Sequence, residues 1–86
     1  MDDVLRSVIE IARRHLPPPS AAALGQDPDA DLSALGLTSL RTVDFLVEVE
    51  ERLGVTLPEE AIRAETFRTP RTVADTLRGL PGGLPR

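Results

Sequence analysis

The 86-residue chain has no cysteine, no tryptophan, no tyrosine and no lysine. Without cysteine there is no disulfide framework, no thiolate metal site and no thiol nucleophile. Its two aromatic residues are Phe45 and Phe67, so the core must be built from Leu, Val, Ile and Ala. All ten cationic side chains are arginine, a bias that reads first as genomic composition. With one histidine and none of the other usual nucleophiles or bases except serine and carboxylates, conventional catalysis is poorly supplied. No apolar run approaches the length of a bilayer span. The N-terminus, Met1-Asp2-Asp3, is acidic and lacks the basic-then-apolar order of a secretory signal. The expectation is a cytoplasmic protein that does not engage membranes.

A chain this short forms one domain, expected over residues 1–80, with 81–86 as a flexible tail. Small domains without disulfides or metals usually rely on well-packed helices. The net charge of −4 is unevenly distributed. Residues 1–26 hold three acids and three arginines, for 0; residues 27–60 hold nine acids and two arginines, for −7; residues 61–86 hold two acids and five arginines, for +3. The acidic middle suits basic partners and argues against nucleic acid.

Asp2 to Leu16 reads as a helix, with Val4, Val8 and Ile11 and also Leu5, Ile9, Ala12 and Leu16 at helical spacing. Asp2 and Asp3 suit its positive end, and Arg13, Arg14 and His15 its negative end. Pro17-Pro18-Pro19 is expected to stop it. Residues 17–38 then read as one long connection, pinned to the core by Leu24, Leu32 and Leu35. A second helix is predicted over Ser39–Leu53, capped by the Thr38 hydroxyl and ended by Gly54. Leu40, Val43, Leu46, Val47 and Leu53 are expected as its buried stripe, with Asp44, Glu48 and Glu51 sharing the outer face. Pro58-Glu59-Glu60 marks a short third helix, with Ala61 and Ile62 as its apolar contacts and Phe67 plugging the core after it. Thr69-Pro70 starts a last helix that turns Val73, Ala74, Leu77 and Leu80 inward. Val55-Thr56-Leu57 reads as loop. The fold class is therefore all-α: three main helices, one short third helix and a long first loop.

Ser39 is the most informative residue. In the first turn of a helix it lies where free amides and the helix dipole favour an anion, so a phosphodiester there would be stabilised. Gly36 lets the incoming backbone turn and a partner approach. Taken alone, the same residue reads as an ordinary helix-start serine. Other chemistry fares worse. His15, at a helix end, reads as a cap or surface residue, and no Gly-x-Ser-x-Gly elbow surrounds Ser39 to support a Ser39–His15–Asp triad. Asp27, Asp29 and Asp31 alternate like the start of an EF-hand loop. Leu32 stands where that loop needs glycine, and Thr38 where it needs glutamate. No catalytic residue and no metal ligand is assigned.

The segment Asp31-Leu32-Ser33-Ala34-Leu35-Gly36-Leu37-Thr38-Ser39-Leu40 resembles the leucine–glycine–x–aspartate–serine–leucine signature of the acyl and peptidyl carrier proteins. The likeness continues through Val43, Leu46, Val49-Glu50, Leu53-Gly54-Val55 and Leu57-Pro58. It extends to Phe67-Arg68-Thr69-Pro70-Arg71-Thr72-Val73-Ala74, so that it covers Val4 to Leu80. The resemblance implies a four-helix bundle of carrier-protein type. It also implies a 4′-phosphopantetheine arm on Ser39, installed from coenzyme A by a phosphopantetheinyl transferase. Such a carrier tethers an acyl or aminoacyl intermediate as a thioester. A loading enzyme, adenylating or acyltransferase, would charge the arm, and downstream synthase or tailoring enzymes would take the cargo. Thr38 departs from the commoner aspartate or histidine: it keeps the cap and loses a charge beside the serine. Arg41 interrupts the acidic face near the arm. The milder acidity favours polyketide or nonribosomal peptide chemistry over bulk fatty-acid synthesis, and the boundaries favour a free-standing, monomeric carrier.

By the same resemblance, Leu37, Thr38, Leu40 and Arg41 flank the arm as partner contacts. Asp44, Glu48 and Glu51 would meet basic partner side chains, and Leu57 and Ile62 would border the arm. Those acids read equally as a solvated helix face, and Leu40 and Ile62 equally as core. The competing function is an unmodified helical adaptor that binds a basic partner through its acidic second helix.

Overall fold

The computed structural model describes residues 2–80, in which all regular structure is helical. Helix α1 spans Asp3–Arg14, α2 Pro18–Leu24, α3 Ser39–Leu53 and α4 Pro70–Arg78, with 3-10 turns at Glu59–Ala61 and Ala64–Phe67 between α3 and α4. The tail expected at 81–86 lies outside the described residues.

Helix α1 is the centre of the bundle and touches all three other helices. Its Leu5, Val8, Ile9, Ile11 and Ala12 are buried. Each large aliphatic side chain removed from water contributes about 1.5–3 kcal/mol. The helix is shorter than its periodicity predicts. Asp2 stands outside it as the N-cap, accepting from the Leu5 amide at 2.9 Å, and His15 is the C-cap.

The long first connection holds the main departure from expectation. Pro17-Pro18-Pro19 ends α1 and also begins a helix, α2, because proline suits a first turn whose amides have no intrahelical acceptor. Ala21-Ala22-Ala23 then continues it with the best helix former. Leu24 and Leu32 are buried and Leu35 half-buried, so the predicted pins hold. Polar ties fix the rest of the loop to α4: Arg71 donates to both carboxylate oxygens of Asp29 at 2.7 and 3.2 Å, and its amide donates to the Pro28 carbonyl at 2.8 Å. At Gly36 φ is 108°, and a Cβ there would lie 3.3 Å from Pro17. The approach that glycine permits is thus made by the protein's own α1–α2 junction.

Helix α3 has the predicted ends. Thr38 accepts from the Arg41 amide at 3.2 Å, and Gly54 closes the helix in the left-handed conformation, donating to the Glu50 carbonyl. Its buried face is not the predicted one. Phe45 and Val49 are buried, with Leu46 and Leu53 half-buried beside them, whereas Leu40, Val43 and Val47 are 77%, 56% and 45% exposed. The apolar residues of α3 form two stripes, and α1 covers only one. Phe45 packs edge-to-face on Phe67, with centroids 6.2 Å apart.

The predicted third helix is instead the two 3-10 turns, broken at Ile62 and Arg63. Ala61 is half-buried, but Ile62, expected to pack inward, is exposed. Thr66 is buried and satisfied, donating to the Ala61 carbonyl at 2.6 Å. Helix α4 opens with a reciprocal cap. Thr69 accepts from the Thr72 amide at 3.1 Å, and the Thr72 hydroxyl accepts from the Thr69 amide at 3.0 Å. Val73, Ala74 and Leu77 face the core as predicted.

Candidate functional site

Two structural decisions place Ser39. Gly36 turns the chain, and Thr38 takes the cap, which leaves Ser39 as the first residue of α3 with an exposed side chain. The amides of Ser39 and Leu40 have no acceptor among the described residues, since the first amides of α3 to be bonded are those of Arg41 and Thr42. An anion on the Ser39 oxygen would therefore meet unspent donors and the positive end of a 15-residue helix.

Ser39 lies on the lip of a groove of about 740 Å³. It is lined by Asp31, Ser33, Leu37, Thr38, Ser39 and Thr42 and by Ile62, Arg63, Ala64, Glu65, Phe67 and Arg68. The size falls in the range of small-molecule sites. The groove exists because the α3–α4 connection is irregular: its 3-10 turns stand beside the start of α3 without a helix to close the gap.

The other site residues named from sequence divide sharply. The cap residue Thr38 and, on α3, Leu40, Arg41, Asp44 and Glu51 are exposed, and Ile62, 45% exposed, lines the groove. Leu37 and Leu57 are core residues, at 5% and 4% exposure, and so do not offer a free contact surface. Leu37 shows only its edge to the groove, and the Leu57 amide donates to Glu50 at 2.8 Å.

Glu48 does not share a free face with Asp44 and Glu51. It is half-buried and holds α3 to the end of α1: Arg14 and Arg52 pair with it, and His15 Nε2 lies 2.8 Å from its Oε1. Partial burial pushes the Glu48 carboxyl up; hydrogen bonds from His15 and Arg14 outweigh this and hold it below the usual glutamate value. His15 also lies edge-on to Phe45. This pairing dismantles the triad alternative, because Glu48 is nine residues along α3 from Ser39, about 13 Å at helical rise.

The three aspartates of the first loop have local duties. Asp27 accepts from the Asp29 amide, Asp31 from the Ala34 amide, and Asp29 pairs with Arg71. The Arg71 hydrogen bond holds the Asp29 carboxyl below its ordinary value.

The model of the family described as phosphopantetheine attachment site matches residues 4–77. The chain belongs to that family. Its members carry covalently attached 4′-phosphopantetheine and work with a phosphopantetheinyl transferase and synthase enzymes; such carrier domains are generally non-catalytic. The residues at the start of α3 fit the group: an exposed hydroxyl, free amides for its phosphodiester and a groove alongside for the chain. No solved structure matches the sequence. No helix among the described residues is long and apolar enough to cross a membrane.

The groove, the exposure of Val43 and Val47, and the state of Arg63 and Arg68 do not follow from the sequence pattern. Arg63 follows Glu59 and Glu60 by four and three residues, and Arg68 follows Glu65 by three, which in an α-helix would favour ion pairs. The break into 3-10 turns removes that geometry, and neither arginine pairs among the described residues. The one signal available in the sequence is the brevity of the segment between Pro58 and Pro70.

Proposed function

We propose that Ser39 carries the 4′-phosphopantetheine arm and that the protein delivers acyl or aminoacyl intermediates between enzymes of polyketide or nonribosomal peptide type. The observation that supports this most is the division of labour at the start of α3: Thr38 caps the helix, leaving the Ser39 hydroxyl exposed beside free amides. The arm supplies a thiol, which the chain lacks, for thioester attachment. The protein's own residues orient the arm and present it to partners. The exposed stripe Leu40, Val43 and Val47, bordered by Asp44 and Glu51, is the docking face for partner enzymes with apolar and basic contacts. The adaptor reading loses support because Glu48, the middle of its acidic face, is occupied within the chain.

The test is intact mass after incubation with coenzyme A, Mg²⁺ and a broad-specificity transferase. One phosphopantetheine is expected on the protein and none on Ser39→Ala, which should keep the helical circular dichroism spectrum of the parent. An unmodified parent, or a modified Ser39→Ala, overturns the assignment.

A further inference from the structure

Nine arginines lie among the described residues, and six have acceptors within the chain. Arg6 pairs with Asp3, Arg14 and Arg52 with Glu48, Arg71 with Asp29, Arg78 with Asp2 and Asp75, and Arg13 donates to the Gly25 carbonyl. Arg41, Arg63 and Arg68 have none among the described residues, and all three are exposed. Two of them, Arg63 and Arg68, line the groove that begins at Ser39.

The groove is chemically mixed. Eight of its twelve lining residues are polar or charged, yet more of its surface is apolar than polar. A neutral alkyl chain would cover the two guanidinium groups without replacing their hydrogen bonds to water, whereas a short acyl chain ending in an acid sets its methylenes on the apolar part and its carboxylate on the arginines. Two negative groups share the lining. Asp31 is engaged by the Ala34 amide at 3.2 Å and lies beside Arg68, whose carbonyl accepts from the Leu32 amide at 3.0 Å; Asp31 and Glu65 balance the two arginines in formal charge, but neither carboxylate pairs with Arg63 or Arg68 among the described residues. A guanidinium matches a carboxylate in shape and can bind it through two hydrogen bonds. The phosphodiester has its own donors in the Ser39 and Leu40 amides, which leaves Arg63 and Arg68 for the chain beyond it.

Resting on attachment of the arm at Ser39, the geometry points to Arg63 and Arg68 as an anion subsite that holds the terminal carboxylate of a short dicarboxylic acyl cargo. The pair selects acid-ended cargo over neutral acyl groups of equal length by keeping it folded along the groove.

Succinyl- and butyryl-phosphopantetheine, each transferred from its coenzyme A thioester, provide the test, with the plain phosphopantetheine form as a third arm. Intact mass first establishes loading, which isolates this inference from the assignment of Ser39. In NMR, the Nε–H resonances of Arg63 and Arg68 are expected to move in the succinyl form and to stay put in the other two. The ¹³C-labelled terminal carboxyl should titrate about half a unit below the same group on free succinyl-pantetheine, a roughly threefold change in proton affinity. Arg63→Gln with Arg68→Gln should abolish that difference. Equal arginine shifts in the plain phosphopantetheine form would assign the anion to the phosphodiester and overturn the cargo subsite. An unshifted carboxyl titration on loaded protein would overturn it as well. Failure to load would remove the attachment reading, and this one with it.

Discussion

The two ends of α3 are built from similar residues and put to opposite uses. From Phe45 onward, Glu48 holds Arg14, His15 and Arg52, Glu50 accepts from the Leu57 amide, and Phe45 and Val49 are buried. At the start, the Ser39 hydroxyl, Leu40 and Arg41 project into solvent without partners among the described residues. The lesson is that one rigid helix serves both roles. The part from Phe45 onward anchors it to α1, so its first turn holds the exposed Ser39 hydroxyl in a fixed place.

The sharpest way to break the contrast is to damage the anchored part. Phe45→Ala should cost about 3–5 kcal/mol, comparable with the whole stability of so small a domain. Urea denaturation followed by circular dichroism should show a protein largely unfolded or nearly so in water. A loss under about 1 kcal/mol would mean that α3 is not anchored there.

Glu48→Gln tests the polar part of the anchor, with an expected cost of about 1–2 kcal/mol near neutral pH. Because the folded-state carboxyl lies below its ordinary value of 4.5, the stabilisation is complete above that value and is lost as pH falls through the folded value. The parent should therefore lose stability more steeply than the variant as pH drops below about 4.5. Parallel thermal-melt profiles of the two, taken from neutral pH down into the acid range, would contradict the pairing.

Thr38→Ala moves to the free end and should cost about 1 kcal/mol, the usual loss for an N-cap. Thr38→Asp should retain most of that stability, because a carboxylate caps equally well. Denaturation midpoints distinguish the two.

Leu40→Ser should have the smallest effect on folding, within about 0.5 kcal/mol, because the side chain is 77% exposed. Its effect should appear instead as slower modification by the transferase at subsaturating protein. A destabilisation above about 1 kcal/mol would show the free stripe to be structural.

Much of the fold is legible in the amino-acid sequence, and local chemistry is what makes it so. An acid-capped α1, the Thr38 and Gly54 ends of α3, and Thr69-Pro70 at the start of α4 each act over a few residues of backbone. The all-α class follows from the same ordered punctuation, and the carrier-type bundle from the resemblance carried by Leu35 to Leu40 and the segments after it. Helix α2 escapes such a reading because three prolines signal a stop, and the same residues serve equally as a start. The segment after Pro58 reads as a helix because its side chains suit one, although it must also cross from α3 to α4 in a short span. The site divides the same way. Ser39 and its Thr38 cap are set by neighbouring residues, whereas the burial of Leu37 and Leu57 and the capture of Glu48 depend on what packs against them.

By itself the sequence determined where α3 begins and ends and where α4 begins, which serine stands first in α3, and that the chain supplies no thiol of its own. Only the tertiary structure decided which stripe of α3 is inside. Leu40, Val43 and Val47 repeat at helical spacing as well as Phe45 and Val49 do, and periodicity cannot choose between two such stripes. The choice is made by α1, which packs against one of them and draws Glu48 to Arg14 and His15. The groove beside Ser39 arises in the same way. It is the space left between elements, and no single segment encodes it.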